Sequence, residues 1–118
     1  MRVLVVDDSE AWRDAICTMV AATPGFEIVG VASSGIEALG LFVVLARPQL
    51  VLLDVQMPAL SGIETARRLR DQYPDVLVVL LTANKRTSPG DASIAIEDKL
   101  DVSPRWLEDV WRRYGESR

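Results

Sequence analysis

The chain has 118 residues, 49% of them hydrophobic and 25% charged, which fits a single soluble globular domain with a real core. Its net charge of −4 gives no electrostatic case for binding nucleic acid or a membrane surface. With no histidine and one cysteine, Cys17, it excludes histidine triads, histidine metal ligands, an internal phosphohistidine relay and an internal disulfide.

The first strand is the apolar run Arg2-Val3-Leu4-Val5-Val6, which stops in Asp7-Asp8. The chain runs straight into this strand, so no signal peptide is expected. Trp12, Ala15, Ile16, Met19 and Val20 then recur at helical spacing, and Pro24-Gly25 closes that helix. Cys17 lies on it and reads as a buried structural thiol. The second strand is expected over 26–32. Ser34-Gly35-Ile36-Glu37 is a capping box that opens the second helix. Its inner face is expected to carry Ile36, Leu39, Phe42, Val43 and Ala46. Its outer face is expected to carry Glu37, Gly40, Leu41, Val44 and Leu45. The densest apolar stretch, 39–46, is too short to span a bilayer.

The third strand, 50–53, ends in Asp54. Ser61-Gly62-Ile63-Glu64 opens the third helix, with Ile63, Ala66, Leu69 and Tyr73 inward. An uninterrupted apolar strand over 76–81 ends in Thr82. A fifth strand is expected over 93–97, with Asp98-Lys99 at its tip. Ser103-Pro104 starts the last helix, which carries Leu107, Val110, Trp111 and Tyr114 inward. Both tryptophans of this helix read as core, Trp106 falling just off that stripe where it could instead be exposed, and Arg112-Arg113 forms a solvated helix end. Between Thr82 and Ser93 the apolar period disappears and Pro89-Gly90 interrupts, so the fourth helix is expected to be short or absent.

Alternating strands and helices predict a parallel sheet covered on both faces: a flavodoxin-like, doubly wound α/β fold with sheet order 2-1-3-4-5. Ligands of such sheets sit at the carboxyl ends of the strands. Those ends carry Asp7, Asp8, Asp54, Thr82 and Lys99. Three carboxylates gathered there repel one another, and a hard divalent cation such as Mg²⁺ relieves that repulsion through oxygen ligands. Asp54 can act as a nucleophile and form an aspartyl phosphate. The Lys99 ammonium adds a point charge, and the Thr82 hydroxyl can donate to a phosphoryl oxygen.

The Asp7-Asp8 pair, the Asp54-x-x-Met57-Pro58-x-x-x-Gly62 run, Thr82-Ala83 and Lys99 together resemble the receiver domain of bacterial response regulators, over essentially the whole chain. The resemblance implies a two-component signalling switch occupying 1–118 as one domain, with no output domain in view. It implies Asp54 as phosphoacceptor, with Thr82 and Lys99 reading the phosphoryl group. It also implies that Asp7, Asp8, Asp54 and the backbone carbonyl of Gln56 hold Mg²⁺. The implied donor is a histidine kinase or phosphotransfer protein, the implied output an unidentified downstream protein, and the implied location the cytoplasm. No turnover of an outside substrate is expected, and no contact with membrane or nucleic acid.

Three departures from the family pattern stand out. Leu100 follows the lysine where proline is usual. Ile96 stands where an aromatic often turns inward on activation. The stretch from Thr82 to Lys99 is short, and the missing part falls on the fourth helix.

These departures support an alternative: a docking or dimerisation module that works without phosphorylation. An outward Leu41, Val44 and Leu45 would suit a second copy or a partner, and would equally suit a helix that is merely apolar. An aspartyl-phosphate hydrolase fits less well, because Gln56 and Ser9 stand where its general acid/base would be. A flavin domain fits poorly too, because Asp7-Asp8 would repel the flavin's phosphate.

Overall fold

The computed structural model describes residues 1–44, 47–84 and 94–115. Three strands, β1 (Arg2–Val6), β3 (Leu50–Asp54) and β4 (Leu77–Thr82), are blocks of Val and Leu with almost every residue buried. Such blocks suit a strand covered on both faces. They form the centre of the sheet, flanked by β2 (Glu27–Ala32) and β5 (Ala95–Asp98). Among the described residues the five strands are parallel, in the order β2-β1-β3-β4-β5. This is the expected doubly wound topology.

Side chains alternate across each strand, so each half of the sheet's apolar residues belongs to one face. Leu4, Val6, Val51, Leu53, Val78 and Leu80 pack under α2 (Gly35–Val44) and α3 (Gly62–Gln72). Val3, Val5, Leu50, Leu52, Leu77, Val79 and Leu81 pack under α1 (Glu10–Ala21) and α4 (Pro104–Val110). Each such Leu or Val contributes roughly 1.5–3 kcal/mol by leaving water.

Serine caps start the helices where the sequence places them. Ser9, Ser34, Ser61 and Ser103 accept from the backbone N–H of Trp12, Glu37, Glu64 and Trp106. Each satisfies a donor that the first helical turn leaves unpaired. Past α4 the chain continues as a π-helical turn, Trp111–Gly115.

Expectations on α1 and α2 need correction. On α1, Ala15 is exposed, and the buried residues are Ile16, Met19 and Val20. Cys17 on the same helix is only half-buried, and burial raises its thiol pKa.

On α2 the inner face is Gly35, Ala38 and Phe42, with Leu39 and Leu41 packed partly against the core. Ile36 and Val43 point outward with Val44, at 65%, 79% and 74% exposure. A helix apolar on every side has no sharp period, so close approach decides its rotation. A Cβ on Gly35 would lie 2.1 Å from Thr65 Oγ1 on α3, so the small residues turn inward. Leu45 and Ala46 lie outside the described residues.

Trp106 is buried, because Glu97 on β5 accepts its indole N–H at 3.2 Å. Glu97 also accepts from the Tyr114 hydroxyl at 3.0 Å and pairs with Arg113 at 3.4 Å, fastening the C-terminal helix to β5. The stretch expected to lack a full fourth helix falls largely on residues 85–93, outside the described residues.

Candidate functional site

The ladder delivers the acids to one edge. Val6 pairs with Leu53, so Asp7 and Asp54 follow side by side at the strand ends. Asp7 N–H still donates to Ala32 O at 3.1 Å, and Val55 N–H to Leu81 O at 3.1 Å. Asp7 continues the alternation of Val3 and Val5, and Asp54 that of Leu50 and Leu52. Both therefore lean toward the face covered by α1. Lys99 opens the 3₁₀ turn Lys99–Asp101 just past the end of β5 and reaches the same place.

The three charges meet. Lys99 Nζ lies 2.8 Å from Asp7 Oδ2 and 3.2 Å from Asp54 Oδ1. Asp7 is 1% exposed, Asp54 7% and Lys99 6%. Each ion is expensive to bury alone, and the contacts offset that cost. Among the described residues, Asp7 Oδ2 is met only by the Lys99 ammonium, while Asp7 Oδ1 takes a backbone N–H. Burial, and then the charge of Asp7, hold the Asp54 carboxyl above its usual pKa; Lys99 and the Gln56 N–H oppose them.

The first turn of α1 supports Asp7 from outside. Ser9 N–H donates to Asp7 Oδ1 at 2.9 Å, and Arg13 Nη1 to Asp7 O at 2.9 Å. The Lys99 ammonium sits 4.8 Å from the centre of the Trp12 ring. The sequence assigns none of Ser9, Arg13 and Trp12 to the site, Trp12 reading as part of the core stripe of α1. Their positions on the helix turn after Asp8 were the available signal.

On β3, Gly62 allows the start of α3 to press against the strand end. A Cβ there would lie 1.9 Å from Asp54 O and 2.7 Å from Val55 Cα. Gly62 N–H donates to Val55 O at 2.9 Å, which closes the 55–61 loop. Within that loop Ala59 has φ 65°, a left-handed conformation unusual for alanine.

An open pocket of about 390 Å³ is lined by Asp7, Asp8, Asp54, Gln56, Thr82 and Lys99, with Ser9, Ala83 and Asn84. All the sequence-predicted site residues are thus brought together. The Thr82 hydroxyl bonds the Asn84 backbone, accepting its N–H at 2.9 Å and donating to its carbonyl at 3.1 Å.

Carboxylate oxygens of Asp7, Asp8 and Asp54 lie within 4.8 Å of one another. Three carboxylates sharing the single ammonium of Lys99 leave excess negative charge, and this all-oxygen donor set fits a hard divalent cation.

A family model described as the response regulator receiver domain matches residues 3–98. The response regulator GacA of Pseudomonas protegens is 44% identical over 82 residues, 70% of this chain and 38% of that protein. A protein-glutamate methylesterase/protein-glutamine glutaminase of Methanospirillum hungatei is 34% identical over 119 residues, 98% of this chain and 34% of that enzyme. The chain therefore spans little more than a third of these curated relatives. Among solved structures, the chemotaxis protein CheY4 of Vibrio cholerae superposes with TM-score 0.78 at 28% identity. That match covers 96% of this chain and 97% of that one. A LuxR-family response regulator of Aurantimonas superposes with TM-score 0.85 at 22% identity, over 99% and 86% of the two chains. At that identity the likeness shows the fold alone.

Proposed function

This chain belongs to the response regulator receiver domain family, and from that membership we propose a signalling switch that works by phosphorylation of Asp54. The observation that carries the reading is the meeting of Asp7, Asp8, Asp54, Thr82 and Lys99, from four strand ends, around one open pocket.

An Asp54 carboxylate oxygen forms a new bond to phosphorus as the donor's bond to phosphorus breaks. The chain has no histidine, so a phosphohistidine donor comes from a partner histidine kinase or phosphotransfer protein. The imidazole then departs and takes a proton from solvent. Asp7, Asp8, Asp54 and the backbone carbonyl of Gln56 would hold Mg²⁺, which supplies neutralisation of charge on the transferring group. Lys99 adds positive charge from the other side. The Thr82 hydroxyl exchanges its bond to the Asn84 backbone for one to a phosphoryl oxygen.

The output is a changed affinity for a downstream protein in the cytoplasm, an electrostatic event acting on a two-state surface. No outside substrate is turned over. Of the described residues, no helix is long and apolar enough to cross a membrane.

Borohydride reduction of the phosphorylated chain, followed by peptide mapping, tests the assignment. Conversion of Asp54 to homoserine supports it. Phosphoryl label on any other residue contradicts it.

A docking or dimerisation role without phosphorylation is favoured by the exposed Ile36, Val43 and Val44 of α2. Sedimentation of wild type against the double variant Val43→Glu/Val44→Glu decides it. A wild-type dimer split by the two charges supports this role, and identical monomers remove it.

A further inference from the structure

Trp12 stands on the stripe of α1 that should face the core, yet it joins neither apolar cluster among the described residues. It is half-buried, and its ring faces the ammonium of Lys99 at 4.8 Å. That distance is within the range of a cation–π attraction. Lys99 is thus held from three sides: Asp7 at 2.8 Å, Asp54 at 3.2 Å and the indole face. A lysine side chain has a flexible four-carbon stem and loses much rotamer freedom when fixed.

The ring does not arrive there by accident of the helix surface. Trp12 donates its backbone N–H to the Ser9 cap, and the Ser9 N–H binds Asp7. The indole and the acid it overlooks are therefore set by the same turn of backbone.

We propose that Trp12 is a positioning residue for Lys99. Its ring face holds the ammonium over the carboxylate pair, where it can meet a phosphoryl oxygen. The inference rests on the phosphorylation reading of the same site. Trp12 does not touch the phosphoryl group. It limits where Lys99 can go, and it covers the ion pairs against water, which strengthens them. A ring that merely filled space could be replaced by any apolar side chain of similar bulk. A ring acting through its π face could be replaced only by another aromatic.

The test compares wild type, Trp12→Phe and Trp12→Leu in the full chain. The first readout needs no phosphorylation. In proton NMR the ε-methylene of Lys99, assigned by its loss in Lys99→Arg, is shifted upfield by the ring in wild type. It stays shifted in Trp12→Phe and moves to the ordinary lysine position in Trp12→Leu. An ordinary lysine position in wild type overturns the proposal.

The second readout is the rate of phosphorylation by acetyl phosphate at saturating Mg²⁺. Trp12→Leu is expected to be slower by about fivefold, equal to about 1 kcal/mol in the barrier, with Trp12→Phe near wild type. Equal rates in the two variants, at matched unfolding midpoints, overturn it. A wild type that takes no phosphoryl group at all, yet shows the NMR shift, counts against the phosphorylation reading and leaves the contact with Lys99 standing.

Discussion

Lys99 Nζ and Asp7 Oδ2 stand 2.8 Å apart, each residue almost wholly buried, and Asp54 shares the same ammonium at 3.2 Å. The lysine thus occupies the position of counter-ion to the acid pair. Removing it leaves the Asp7 carboxylate buried beside a second one. Lys99→Met is expected to lower stability by about 3 kcal/mol in metal-free buffer, and by less with millimolar Mg²⁺. Urea unfolding with and without Mg²⁺ checks both halves. An equal loss in the two buffers would show that the cation does not relieve the acids.

Asp54 predicts a pH dependence. Its pKa is raised in the fold, by burial and then by Asp7, so the native state holds this proton more tightly than the unfolded chain does. Stability therefore falls as pH rises from the ordinary aspartate range through the raised value. Asp54→Asn removes the charge and leaves the Lys99–Asp7 pair in place. Its unfolding midpoint in metal-free buffer at neutral pH should exceed that of wild type, with the gap closing on acidification below both values. A lower midpoint in the variant would contradict the direction of the shift.

Gly62 fixes the position of Asp54 by letting α3 touch the strand end. In Gly62→Ala the new methyl meets backbone at 1.9 Å and 2.7 Å, atoms that cannot rotate away. A loss of about 2 kcal/mol or more is expected from the forced backbone shift. The Mg²⁺ affinity of the folded variant should fall as well, because Asp54 moves. Calorimetric titration of Mg²⁺ measures this, and unchanged affinity would separate the helix approach from the site.

Ala59 is held at φ 65°, where its Cβ crowds the backbone. Ala59→Gly removes that strain and adds freedom to the unfolded chain, and these effects oppose each other. The net expectation is a gain of up to about 1 kcal/mol in chemical denaturation. A loss would mean that the loop is not strained at this residue.

Much of the architecture is legible in local pattern. The Val and Leu blocks of β1, β3 and β4 have no polar face to hide, so they read directly as central strands. The serine caps and the acids at the strand ends follow from spacing alone. What the pattern cannot carry is rotation and long-range contact. The second helix is apolar all round, so Ile36 and Val43 looked as fit for the core as Ala38, and Gly35 against Thr65 decided otherwise. Trp106 sits off the apolar stripe of its helix, and spacing alone left its burial open, because its N–H depends on Glu97 of β5, nine positions earlier. Trp12 read as a core residue because helical spacing shows which side a ring faces, not that a lysine from the far end of the chain will lie under it.

The most direct measurement is intact mass after incubation with acetyl phosphate, with and without Mg²⁺, on wild type and Asp54→Ala. Wild type is expected to gain one phosphoryl group in a Mg²⁺-dependent reaction, and Asp54→Ala to gain none. The same gain in Asp54→Ala, or no gain in folded wild type from either acetyl phosphate or a phosphorylated histidine kinase, would contradict phosphorylation of Asp54.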